Sequence, residues 1–84
     1  MNEQEEISQA FDITNRVHRR IDDEFRENRP SMPMVIYIAS ALTAFFAKGI
    51  AEGSNISFTE AMKEIEDSAY IMHKNDVWNK VKEH

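Results

Sequence analysis

PSMPMVIYIASALTAFFAKGIA, residues 30–51, is the stretch whose reading decides the fold. No charged side chain occurs from Pro30 to Ala47, and Val35, Ile36, Ile38, Leu42, Phe45, Phe46 and Ile50 cover most of the circumference of a helix drawn through it. A helix that is apolar all round is normally buried on several sides. Ser31 is placed to cap its start, and Pro33 falls in the first turn, where a missing N–H is no loss. Glu52-Gly53-Ser54-Asn55 reads as the turn that follows, with Gly53 taking the left-handed conformation that ends a helix. The predicted helix is 32–51.

A segment of this kind also raises the question of a membrane. A spanning helix needs about 20 apolar residues. The uncharged run is shorter, it contains Ser40 and Thr43, and Lys48 lies inside its last turn. The segments on either side carry apolar stripes of their own, which need something to cover. The expectation is therefore a buried core helix and no membrane.

The flanking segments are amphipathic. Upstream, a helix is predicted over 3–28, with Ile7, Ala10, Phe11, Val17, Ile21 and Phe25 on one stripe together with Thr14 and His18. Its other face is charged, and Asp12 and Arg16, Arg19 and Asp23, Arg20 and Glu24, and Asp22 and Arg26 stand four apart, a spacing worth about 0.2–0.5 kcal/mol per pair. Arg29-Pro30 ends it, because the residue before a proline avoids the α region. Downstream, Ser57-Phe58-Thr59-Glu60 reads as a capping box that opens a helix over 58–73. Phe58, Ala61, Met62, Ile65, Ala69 and Met72 form its stripe, and Glu60, Lys63, Glu64, Glu66 and Asp67 its outer face. Past His73 the pattern slips. Val77, Trp78 and Val81 fit only if the chain breaks at Lys74-Asn75 and starts a short fourth helix over 76–82. The expected fold is all-α, one domain over 1–84: a three-helix bundle with a short C-terminal fourth helix, assembled as a homodimer.

Composition narrows the function classes. Fifteen acidic residues against ten basic ones give a formal charge of −5. Nucleic acid and anionic membranes both call for a positive field, so direct binding to either is not expected. There is no cysteine, which removes disulfides, thiolate metal sites and a cysteine nucleophile. A chain of 84 residues buries only about 60–65% of its unfolded surface. Small domains compensate with disulfides, metals or oligomerisation, and self-association is the route this composition leaves open. The polar, acidic start at Met1–Glu6 fits neither a secretory nor a mitochondrial leader, and a cytoplasmic location is expected.

No phosphate-cradling glycine loop, nucleophile elbow or helical zinc motif occurs. His18 and Asp22 stand four apart, as two metal ligands can, but a zinc site needs three or four, so no metal and no cofactor are expected. The acidic runs Asp22-Asp23-Glu24 and Glu64, Glu66, Asp67 lie on faces that read as solvated, and no enzyme activity is expected of them. Two surfaces remain. If two amphipathic helices cover most of the central one, the strip left over is Tyr37, Ser40, Ala44, Ala47 and Ala51, a candidate dimer interface whose small side chains admit a second helix. Arg16, Arg19 and Arg20, with Trp78, are the candidate contacts for another, unidentified protein. The functional expectation is a non-enzymatic adaptor or regulator that works by protein–protein contact. The alternative is an acidic inhibitor, of the kind carried by phages or mobile elements, that occupies a nucleic-acid-binding protein by imitating phosphate charge.

Overall fold

The structure, a computed structural model, describes residues 2–76. It is all-helical with three helices: α1, Glu3–Asn28; α2, Met32–Ser54; and α3, Phe58–Lys74. The chain divides into two compact units, one holding α1 to Arg29 and the other spanning Pro30–Lys74.

α1 starts where its sequence supplies a cap. The Asn2 side chain accepts a hydrogen bond from the Glu5 backbone N–H at 2.8 Å, and its amide donates to the Glu5 carboxylate at 3.3 Å. Glu3, Glu5 and Glu6 fill the first turn, where the exposed N–H groups and the helix dipole favour negative charge. Phe11, Asn15, His18, Ile21 and Phe25 are half-buried, steps of three and four along one face. Thr14 is exposed and turns its hydroxyl back to donate to the Ala10 carbonyl at 2.7 Å. The helix stops at Arg29, as the Arg-Pro step predicts, although Arg29 turns left-handed (φ 46°, ψ 62°) rather than extended. In that position its N–H still reaches the Phe25 carbonyl at 2.8 Å, which satisfies one of the last open acceptors.

The second unit is a helical hairpin. Ser31 caps α2 by accepting from the Met34 N–H at 3.4 Å, and Pro33 sits in the first turn. α2 runs past the predicted end at Ala51 and through Gly53 to Ser54. The residue that turns left-handed is Asn55 (φ 55°, ψ 46°), not Gly53, and no glycine takes a positive φ. Asparagine tolerates this region because its short polar side chain bonds locally. The Ile56 N–H reaches back to the Ala51 carbonyl at 3.1 Å, the long bond of a Schellman turn, and Ile56 and Ala51 are both half-buried beside it. Two residues later Ser57 caps α3, accepting from the Glu60 N–H at 3.0 Å. α3 ends at Lys74, at the predicted break, and Asp76 follows with a positive φ of 53°. The predicted fourth helix over 76–82 lies outside the described residues apart from Asp76, which is in a turn.

α2 and α3 pack on each other. The two side chains fully removed from water among the described residues are Ala47 on α2 and Ala61 on α3, both 0% exposed. Met62 and Ile65, next along the inner face of α3, are half-buried, as are Thr43 and Ala51 on α2. Methyl groups at the point of closest approach leave no room for a larger side chain. Ala61→Leu should therefore cost about 1–3 kcal/mol of stability in urea unfolding, through overpacking. At the turn, Asn55→Val should cost about 1–2 kcal/mol, whereas Asn55→Gly should be tolerated. Equal stability of all three variants would mean that neither the alanine contact nor the left-handed turn holds the hairpin.

Candidate interaction surface

A helix advances about 100° per residue, so the buried residues of α2 fix which way the rest point. Thr43, Ala47 and Ala51 lie on the side that carries the contact with α3. On the opposite side stand Val35 and Ile38, both half-buried, with Leu42, Phe45 and Gly49, in steps of three, four, three and four. Met34 and Ala41 flank this line on one edge, and Ala39 and Phe46 on the other. Here α2 presents large apolar side chains to water: Phe45 is 74% exposed and Phe46 is 57% exposed, with their rings edge to face at 6.2 Å. Met34 and Leu42 are exposed as well.

Of the candidate interface strip, Ala47 is wholly buried and Ala51 half-buried in the chain itself. Tyr37, Ser40 and Ala44 are exposed, but they lie along the flank of the α3 contact rather than on the broad apolar side. The physical reason is proximity. Two helices joined by three residues, Asn55 to Ser57, must cross close to their shared turn, and the close crossing selects small side chains.

Gly49 lies on the same large face. A glycine inside a helix is worth about 0.5–1 kcal/mol less than alanine. A Cβ built on Gly49 would meet nothing within 4 Å, so no contact in the chain itself requires glycine there.

The size of the face can be gauged. At roughly 200 Å² per large apolar side chain, the exposed parts of Met34, Leu42, Phe45 and Phe46, with their smaller neighbours, leave about 600 Å². Single exposed apolar residues are unremarkable, and a contiguous patch of roughly 300–600 Å² is the largest that a typical monomer exposes. A lesser apolar groove runs between Ile50 of α2 and Ile65, Ala69 and Met72 of α3.

On α1, Arg16, Arg19 and Arg20 are exposed. Arg26 meets Asp23 at 3.7 Å, a step of three rather than the expected Asp22–Arg26 step of four, and Asp22 lies 3.5 Å from His18. On α3, Lys63 reaches Asp67 at 3.8 Å. Such exposed pairs are worth about 0–1 kcal/mol. Trp78, the remaining candidate contact, lies outside the described residues. No family model, no curated protein and no solved structure matches the chain. Among the described residues no three histidine, aspartate or glutamate side chains gather as a metal site would require, and no polar side chain is buried. Glu66 and Asp67 border an open depression with Tyr70 and Ile71, where water screens the paired carboxylates.

The sequence signal for the large face was present in the three-and-four spacing of Val35, Ile38, Leu42, Phe45 and Gly49. The spacing of the alanines competes with it, and periodicity alone does not say which stripe goes inward. If the α1 arginines serve a surface rather than the fold, replacing Arg16, Arg19 or Arg20 with Gln should leave thermal stability within about 0.5 kcal/mol. A loss of 2 kcal/mol or more in any of them would assign that arginine to the fold.

Proposed function

We propose that this chain is a non-enzymatic protein that works by protein–protein contact, and that its first partner is a second copy of itself, seated on the outward apolar face of α2. The observation that carries the reading is the exposure of that face. About 600 Å² on each copy gives roughly 1,200 Å² for a pair, the lower edge of stable specific interfaces. In this reading the chain works as a pair. Its charged outer faces, including Arg16, Arg19 and Arg20, are left to meet other proteins as an adaptor or regulator does.

A bilayer is the competing cover. Met32–Ser54 is, by length and composition, the one helix among the described residues that could cross a membrane, and only 6% of its most apolar window is buried. The hairpin argues against that role. α3 lies along α2 and carries Glu60, Lys63, Glu64, Glu66 and Asp67. Taking α2 into the hydrocarbon would bring these charges with it, at about 2.5–3.5 kcal/mol each for Asp and Lys near the centre. A protein partner covers α2 without that penalty, and a cytoplasmic location goes with this proposal.

Sedimentation of paired variants tests it. The native chain should sediment as a dimer, and Phe45→Glu, on the large face, as a monomer. Ala44→Glu, only one residue away but on the flank of the α3 contact, should remain a dimer. A monomeric native chain overturns the proposal. Dissociation by Ala44→Glu with Phe45→Glu still dimeric would return the interface to the small-residue strip. Flotation of the native chain with lipid vesicles would favour the bilayer.

A further inference from the structure

We propose that the two copies pair through α2 in antiparallel fashion, with Ile38 of each copy against Gly49 of the other and Leu42 of each against Phe45 of the other. This rests on the self-pairing proposed above and specifies its direction and register.

Spacing and overlap set the seam and its register, and size and charge set its direction. Val35, Ile38, Leu42, Phe45 and Gly49 repeat in steps of three and four, the seam by which two helices pack side by side along their length. Antiparallel pairing with the two-fold axis beside residues 43 and 44 overlaps the full length of α2, which a displaced register would not. It also matches sizes. Ile38, branched and half-buried, meets the one seam position that has no side chain, and nothing in its own subunit fills the space at Gly49. A parallel pair would set Gly49 against Gly49 and Phe45 against Phe45, a void beside a crowded layer.

The charges agree. α2 has no acidic residue in its first turn and no basic residue in its last. In the antiparallel register Glu52 of one copy lies beside the first turns of α2 in the other, where the helix dipole favours a carboxylate. A parallel pair would instead bring Glu52 alongside Glu52 and Lys48 alongside Lys48. Ala47, whose side of α2 is taken by α3, stays away from this seam, so the hairpin is kept intact on pairing.

The chain has no native cysteine, so introduced thiols report pairing cleanly. Ile38→Cys and Gly49→Cys are made as separate single variants and oxidised alone and as an equimolar, unfolded-and-refolded mixture. At about 1.5 Å per residue, like positions stand roughly 16 Å apart in the proposed register, beyond a disulfide, while position 38 faces position 49. The expected result is a covalent dimer in the mixture and little or none in either variant alone. Self-cross-linking of each variant alone would establish a parallel pair. Absence of cross-links from all three samples, while the native chain still sediments as a dimer, would show that another register or face is used; a monomeric native chain would instead remove the underlying self-pairing. Spin labels at Met32→Cys, which leaves the seam untouched, give an independent readout: about 35 Å between labels in the antiparallel pair and under about 20 Å in a parallel one.

Discussion

α2 and α3 pack on each other, and among the described residues Ala47 on α2 and Ala61 on α3 are the side chains fully removed from water. A three-residue connection forces the helices to meet near their shared turn, and close helices accept only small side chains between them. Once Ala47 is committed to that contact, the geometry of a helix determines the rest of α2. Leu42, Phe45 and Phe46 must point to the far side, toward water. The hairpin thus leaves Leu42, Phe45 and Phe46 exposed.

That imbalance is the link from packing to function. A short chain has little interior to offer, and this one has neither a disulfide nor a gathered set of metal ligands among its described residues to compensate. The carboxylates of Glu66 and Asp67 on α3 border an open depression rather than a closed pocket. What remains is surface: one broad apolar face on α2 and several charged faces on α1 and α3. In the proposed function, a second copy covers the apolar face.

Much of the fold was legible in the sequence because it depends on local chemistry. Ser31, Ser57 and the Arg29-Pro30 step set helix boundaries through hydrogen bonds made within a few residues. Gly53 misled because glycine is the usual residue for a left-handed turn, yet Asn55 can adopt the same conformation and its position lets α2 add three residues before reversing. The capping of α1 by Asn2 was equally local and went unread. The candidate site was less legible. Hydrophobic periodicity shows that Val35 and Phe45 share a side of α2 and that Ala44, Ala47 and Ala51 share another. Which side turns inward is decided by how closely α3 approaches, a tertiary property that Ala47 and Ala61 reveal only when seen together. Trp78 and the C-terminal segment lie outside the described residues, so the contact expected there has no structural account.

The central claim is that α2 is completed by a second copy, so that folding and pairing are coupled. The most direct measurement is the melting temperature of the unmodified chain over a hundredfold range of concentration. Mass action requires the melting temperature of a protein stabilised by self-association to fall on dilution, by about 5–10 °C for a pair of this size. A melting temperature that does not move with concentration would contradict the account, because the hairpin would then be stable with its broad apolar face left to water.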